Sequence, residues 1–413
     1  MNIWILQHYA TPPDTNSGTR HFNFAKRLAE NGHSVKIFAS GFNHSTRREE
    51  RCTGKESYKK QRYGEIDFMW VKTPPYDHNN WRRMFNMAVY SFRVANAISA
   101  GMGFPDVVWA SNPHLFSGLA GYWISKKCNA RLVFEVRDLW PQVFVDIGTY
   151  RENHPVVFSL RKIEKFIYRK SSKIIVLMPR ASDYMEKIGI NKDKVVYIPH
   201  AVDLGSFSAE DTTLPREISR RIEDLRVKNK VLVGYAGAHG IADALDSLVE
   251  AANILQILGR DDLHFLTIGD GTELERLIQK AKKLDLKNIN FLGSIPKNAA
   301  STFLKSIDVG IVCKKNSKLY EYGTSFIKTF DYMACSIPII WAVNSKDSPV
   351  SESGCGLTIP SENPDEMAKA ILRFASLPIN EKHFMGKRGL EYVKQYHDID
   401  VLFNRLYSVL ANN

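Results

Sequence analysis

The stretch VLVGYAGAHGIADALDSLVEAANIL, residues 231–255, decides the fold. It opens as a short apolar run of the kind that forms a buried strand, breaks at Gly-Ala-His-Gly (237–240), and continues with Leu245, Leu248, Val249, Ala252 and Leu255 at helical spacing. A strand, a glycine loop and an amphipathic helix therefore follow one another. Similar apolar runs recur on either side: NIWILQ, SVKIFAS, DVVWAS, RLVFEV and KIIVLM before it, HFLTIGD, INFLGS, VGIVC and IPIIWA after it. Their alternation with helical stretches predicts parallel sheets with helices on both faces.

The pattern occurs twice, and 413 residues exceed one ordinary core, so two domains are expected. Between the two sets, NKDKVVYIPHAVDLGSFSAEDTTLPREI turns polar and contains Gly205 and Pro215. The expected organisation is residues 1–203, residues 204–385, and a helical segment 386–413 that packs back on the first domain. Residues 43–65, charged and poor in apolar side chains, are expected to be a mobile surface loop.

A formal net charge of +12 favours anionic partners without choosing among them. The usual nucleic-acid signatures are missing, so nucleic acid is not the expected partner. Five scattered cysteines with no short paired spacing give no disulfide framework and no zinc site, which fits a reducing cytoplasm. MNIWILQHYA lacks the basic start of a secretory leader, and no run reaches the roughly 18 apolar residues of a spanning helix. Membrane contact is expected to be peripheral.

Several loops bear on chemistry. Gly18 precedes a helix with Phe22, Ala25, Leu28 and Ala29 at core spacing, a place where backbone N–H groups meet phosphate; a plain strand-to-helix turn is the alternative. His239 is the only side chain of the 237–240 loop able to donate to a phosphate, and Gly240 follows it; a structural histidine is the alternative. Gly269-Asp270-Gly271 ends a strand, with Thr272 and Glu275 spaced as a capping box. A turn at Gly293, followed by Ser294 and Ile295, would expose backbone groups able to read a flat base. In YEYGTSFIKTFDYMACSIP (320–338), Lys328 and Asp331 share one helical face. They read either as an i,i+3 ion pair or as a site for a ligand with both phosphates and hydroxyls.

The order RLAENGHSV, VYIPHAVD, GYAGAHG, IGDG, NFLGSIP and FDYMACSIPII resembles the retaining glycosyltransferases of family four, from the first residues to about residue 345. YAGAHG, KTFDYMA and RDLWP together resemble the subgroup that builds bacterial O-antigen and capsule repeat units, including transferases of N-acetyl-fucosamine type sugars. The resemblance implies an α/β protein of the GT-B arrangement, two Rossmann-like domains with parallel sheets facing across a cleft. It implies that Asp331 accepts hydrogen bonds from the donor ribose, that Lys328 lies near the diphosphate, and that Ser325 caps the helix. The family's first acid is absent, since position 323 is glycine, and the resemblance leaves Glu321, two residues earlier, as the candidate to replace it. The family's Arg or Lys pair after the first glycine loop is also missing, which leaves His239, Gly240, Lys328 and Gly18 for the diphosphate.

In LVFEVRDLWPQVF, Arg137-Asp138 takes the place of the family's His-Asp, with Arg137 stabilising charge and Asp138 orienting hydroxyls. The residue-level alternative is a structural ion pair. Two basic amphipathic segments, NWRRMFNMAVYSFR (80–93) and FSLRKIEKFIYRKSSK (158–173), suit an acidic lipid surface or form ordinary half-buried helices. For the second, core packing is favoured.

The resulting expectation is a cytoplasmic retaining hexosyltransferase associated with the inner face of the membrane. It would need no metal or other cofactor and would move a sugar from a UDP-sugar to a polyprenyl-diphosphate-linked glycan. The alternatives are a UDP-sugar 2-epimerase on the same scaffold and a non-catalytic glycan-assembly subunit.

Overall fold

The computed structural model describes residues 1–13, 19–44, 46–78, 80–208 and 213–411. The chain divides into two compact units, Met1–Pro199 joined by the chain from Ile399 onward, and His200–Asp398. The division falls at 199/200 rather than 203/204, and the chain re-enters the first unit at 399 rather than 386. Helix Ile379–Tyr396 packs on helix Ile327–Ala334 inside the second unit, while helix Ile399–Ala411 packs on helix Arg20–Glu30 of the first.

The sheet of the first unit runs, in spatial order, Val195–Tyr197, Lys173–Val176, Arg131–Val136, Val107–Ser111, Asn2–Leu6, Ser34–Ser40, Ile66–Val71 and Tyr58–Tyr63. All neighbours are parallel except the last pair. Ile3, Trp4, Ile5 and Leu6 are buried, as a central strand covered on both faces requires. Part of the segment expected to be a loop is instead this edge: Tyr58–Tyr63 forms a hairpin with Ile66–Val71, and Phe42–Asn43 pairs with Arg48–Glu49. YKKQRY is charged because an edge strand needs cover on little more than one face, and lysines there discourage pairing with other chains.

Helix Arg20–Glu30 buries Arg20, His21, Phe24, Ala25 and Leu28, a face rotated from the expected one. The cause is Glu135 on strand Arg131–Val136. Its carboxylate lies 3.1 Å from Arg20 Nη2, 3.0 Å from His21 Nε2 and accepts a 2.9 Å hydrogen bond from Ser111 Oγ. Burial alone would raise this acid, but the Arg20 and His21 charges hold it well below the ordinary carboxylate range. Arg20 also donates to the carbonyls of Ile198 and Pro199, which ties the end of the unit to its sheet.

The second sheet is wholly parallel, in the order Ile289–Phe291, Leu263–Ile268, Val231–Ala236, Val309–Cys313, Ile339–Ala342, Gly356–Ile359. Strand order reverses between Val231–Ala236 and Val309–Cys313, a topological switch point of the kind at whose carboxyl ends open α/β sheets bind ligands. Helix Asp246–Ile257 follows the first of these strands and buries Leu248, Val249, Ala252 and Leu255, with Leu245 beneath its start, as their spacing predicts. On the other face, Phe330, Tyr332 and Met333 of helix Ile327–Ala334 join Leu232, Leu266, Val312 and Trp341 in one cluster.

Two expected caps do not form. Helix Leu274–Lys283 has Glu273 at its N-cap without a side-chain bond; instead the Glu273 N–H donates 2.9 Å to the His239 carbonyl, and this fixes the turn. Helix Ile327–Ala334 starts after Phe326, and the buried Ser325 Oγ has no partner among the described residues. The Phe326 ring, packed between Tyr320 and Trp341, sets the entry of this helix.

Candidate functional site

At the carboxyl end of the second sheet the glycine loops interlock through their backbones. Gly237 N–H donates to Ile268 O at 3.0 Å, His239 N–H to Asp270 O at 2.9 Å, and Gly269 N–H to Gly293 O at 2.8 Å. Gly269 has φ +127°, and a Cβ there would fall 1.9 Å from Gly237 O, so only glycine lets the two turns touch. The His239 side chain is fully buried against Thr267, with Nε2 3.2 Å from Thr267 Oγ1. Burial, then the Lys328 charge, lowers its pKa and keeps the ring neutral. The His239 ring, expected to donate to a phosphate, is turned into the loop on its Nε2 side, and its buried Nδ1 has no partner among the described residues. Gly240 has extended backbone before the short turn Ile241–Asp243, and the exposed Asp270 accepts from the Gly271 N–H at 2.7 Å.

Lys328 and Asp331 do not form the i,i+3 ion pair that their spacing offered. Lys328 Nζ reaches back to the first turn. A Cβ on Gly237 would stand 2.8 Å from it, and it donates to Tyr235 Oη at 2.7 Å and to Asp243 Oδ1 at 2.9 Å. Asp243 Oδ1 also accepts from Lys314 Nζ at 2.7 Å. The three charged side chains are 15%, 8% and 13% exposed for Lys328, Asp243 and Lys314, so this is a largely desolvated cluster with one net positive charge. Burial would raise the Asp243 acid, but the two ammoniums overcome it and hold it below its ordinary value. Burial lowers the Lys328 pKa, and Asp243 opposes that fall.

Tyr235, Asp243 and Lys314 join this cluster without a motif in the sequence that marks them. The available signal was positional: Lys314 directly follows strand Val309–Cys313 at the switch point, and Asp243 follows the glycine loop.

Asp331 is partly buried, and desolvation pushes its acid up to about 7 against the opposing charge of Lys297. Lys297, itself lowered by desolvation, begins the short turn after Ser294, Ile295 and Pro296. Ser294 is exposed, while Ile295 packs partly against the cluster under helix Ile327–Ala334. Glu321 is exposed on the turn Lys318–Tyr322 and lines a shallow concavity with Asn316, Ser317, Tyr320, Asn344 and Lys346.

In the first unit, Arg137 and Asp138 lie past strand Arg131–Val136, held by Asn112: Asn112 Oδ1 accepts from the Arg137 N–H at 2.7 Å, and Nδ2 donates to the Asp138 carbonyl at 2.5 Å. Both line a pocket of ≈ 370 Å³ that also includes His8, Tyr9, His44, Arg51 and Arg83. His8 and His114, not anticipated from the sequence, meet at 2.9 Å between Nδ1 and Nε2. Burial, then the Arg83 charge, lowers His114 to about 3, so the pair stays neutral at neutral pH. Gly18 lies outside the described residues.

Of the two basic segments, residues 158–173 pack largely as expected, with Leu160, Ile167 and Tyr168 buried in helix Pro155–Lys170. Helix Trp81–Ala95 buries Asn86, Met87, Tyr90, Ser91 and Val94 and turns Trp81, Phe85 and Phe92 outward at 69%, 52% and 71% exposure. These large side chains form one outward stripe beside Arg82. Among the described residues, no helix is long and apolar enough to cross a membrane.

Comparison with known proteins gives two family matches. Residues 18–206 match the family described as Glycosyltransferase Family 4, and residues 230–376 match Glycosyl transferases group 1. Each match covers less than half of the chain; together they make it similar to the family-four and group 1 glycosyltransferases, and it has the GT-B fold. It is 23% identical over 253 residues to the probable glycosyltransferase WbjE of Pseudomonas aeruginosa, a match spanning 60% of each chain. It is 19% identical over 402 residues to the uncharacterized glycosyltransferase MJ1069 of Methanocaldococcus jannaschii, covering 96% of this chain and 94% of that one. Among solved structures it resembles Anabaena Alr3699/HepE in complex with UDP and glucose, with a TM-score of 0.70, 14% identity and full coverage of both chains, a likeness of fold.

Proposed function

We propose that the protein is a retaining glycosyltransferase that moves an N-acetylated amino or deoxyamino sugar from a UDP-sugar to a polyprenyl-diphosphate-linked glycan in bacterial surface polysaccharide synthesis. The single observation that carries this reading is the Lys328 ammonium at the Gly237 turn of a parallel-sheet switch point, with the Asp331 carboxyl one turn further along the same helix. The crevice outside such a switch point is where open α/β sheets hold nucleotides. Lys328 supplies positive charge for a diphosphate, and Asp331 supplies acceptor oxygens for ribose hydroxyls. The solved HepE complex with UDP supports the choice of nucleotide.

In the transfer, the acceptor hydroxyl oxygen bonds to the anomeric carbon as the bond from that carbon to the diphosphate oxygen breaks. The bonding pair leaves with the diphosphate, and the hydroxyl proton passes to the leaving phosphate oxygen. Lys328 stabilises the negative charge that develops there, and no metal is required. Arg137 and Asp138, in the pocket of the first unit, serve the acceptor: Arg137 offers charge to its diphosphate and Asp138 accepts from sugar hydroxyls. The outward Trp81, Phe85 and Phe92 beside Arg82 support peripheral binding to an anionic membrane face, where such an acceptor resides.

The test is product formation. Purified protein incubated with UDP-N-acetyl sugars and a polyprenyl-diphosphate-sugar should extend the lipid-linked sugar by one residue with the anomeric configuration retained. Conversion of the sugar nucleotide alone would indicate an epimerase, and no change in either substrate would indicate a binding subunit.

A further inference from the structure

Asp243 has no role in the proposed chemistry, yet it is the buried carboxylate on which Lys314 and Lys328 converge. A bare ammonium in a site this dry sheds its proton, and a neutral lysine offers a phosphate no charge. We infer that Asp243 is a positioning residue for the donor site, a built-in counter-anion that keeps Lys328 protonated and aimed at the Gly237 turn while one N–H of the ammonium is left for a diphosphate. The inference rests on the donor-site reading given above and deepens it.

Three geometric facts carry it. Lys328 Nζ has three N–H groups; among the described residues Tyr235 Oη takes one at 2.7 Å and Asp243 Oδ1 another at 2.9 Å, which leaves the third without a protein acceptor there. Asp243 Oδ1 is shared with Lys314 Nζ at 2.7 Å, so one carboxylate serves two ammoniums and leaves the cluster with an excess positive charge beside the glycine turn. A full neutralising pair for each lysine would instead cancel the field that an incoming diphosphate meets. Finally, the Asp243 carbonyl accepts from Cys313 Sγ at 3.0 Å, which fastens the short turn carrying Asp243 to the strand that ends beside Lys314.

The groups acting on Lys328 come from every element around it. Tyr235 lies on one strand of the switch point, Cys313 and Lys314 at the end of the other, and His239 and Asp243 in the loop between that first strand and helix Asp246–Ile257. Cys313 and Tyr235 are pushed upward by burial and stay neutral, and His239 is held neutral, so Asp243 and Lys314 are the charges that act on Lys328. Asp243 favours its protonated form and Lys314 opposes it.

The experiment is calorimetric titration of the full chain with UDP from about pH 7.5 to 10.5, above the second ionisation of phosphate, using wild type, Asp243→Asn and Asp243→Glu. Wild-type affinity should fall at the alkaline end. Asp243→Asn should lose affinity at a pH lower by at least about one unit, about tenfold weaker at a fixed intermediate pH, and Asp243→Glu should restore the profile. Superimposable profiles for wild type and a folded Asp243→Asn would overturn the inference while leaving the donor site standing. Absence of UDP binding by wild type at every pH would overturn the donor reading itself. If Asp243→Asn does not fold, Lys314→Met answers the same question with opposite sign. Its alkaline midpoint should move to higher pH, and an unmoved or lowered midpoint would refute the proposal.

Discussion

Replacing Asp331 with Asn should make the protein more stable and the proposed donor site weaker, with the stability gain absent near pH 4 and growing up to about pH 7. In the folded chain the Asp331 carboxyl is pushed up to about 7 by desolvation, from an ordinary 3.8. Between those values the folded state holds a proton that the unfolded state has released, so stability falls as pH rises. Each pH unit of that interval is worth about 1.4 kcal/mol. The full interval would amount to roughly 4 kcal/mol, and the partial exposure of the side chain brings the expected cost to about 2–4 kcal/mol above pH 7. Asn has the shape of the neutral acid and carries no such cost.

Thermal unfolding followed from pH 4 to 8.5 should therefore show wild type and Asp331→Asn melting together near pH 4. They should separate as pH rises and stay parallel above about 7.5, with the second unit of the variant more stable by on the order of 5–10 °C. Asp331→Asn should also bind UDP about tenfold or more weakly, the loss of a charged hydrogen-bond acceptor. A melting difference that does not change with pH would refute the assignment of a desolvated carboxyl at this position.

Other expectations follow from single contacts. Gly269→Ala should cost more than about 3 kcal/mol, because its methyl would collide with the Gly237 carbonyl; an unchanged melting temperature would show that the turns are not interlocked. Glu135→Gln should destabilise the first unit by about 3–5 kcal/mol by stranding the buried Arg20 guanidinium, measured by chemical denaturation. The triple change Trp81→Ser, Phe85→Ser, Phe92→Ser should abolish sedimentation with vesicles containing anionic lipid and leave UDP affinity unchanged, since all three face outward on their helix. Equal sedimentation of variant and wild type would remove this stripe from any membrane contact.

The fold was legible because burial on both faces forces parallel strands to be apolar. SVKIFAS, RLVFEV and VGIVC coincide with observed strands residue for residue, since nothing but a strand accommodates such short runs between helices. The edge strand YKKQRY escaped notice for the opposite reason, as its outward positions carry charge. Helix Arg20–Glu30 was legible as a helix, but its buried face was not, because the pull came from Glu135, far away in sequence.

At the site, Lys328 and Asp331 stood out as charged residues in an apolar helix. Their partners Asp243 and Lys297 did not, because charged residues in surface loops look ordinary until folding brings them under a neighbouring element. His239 was the reverse case: a polar residue in a glycine loop looked outward in sequence and is turned inward by its hydrogen bond with Thr267.

The most direct test of the account is calorimetric titration of the purified protein with UDP, GDP, ADP and CMP at neutral pH, without metal and again with magnesium, beside the Lys328→Met variant. Selective binding of UDP without metal, lost in folded Lys328→Met, is the predicted result. Binding of none of the four, or UDP binding unchanged by Lys328→Met, would contradict a diphosphate site at the Gly237 turn.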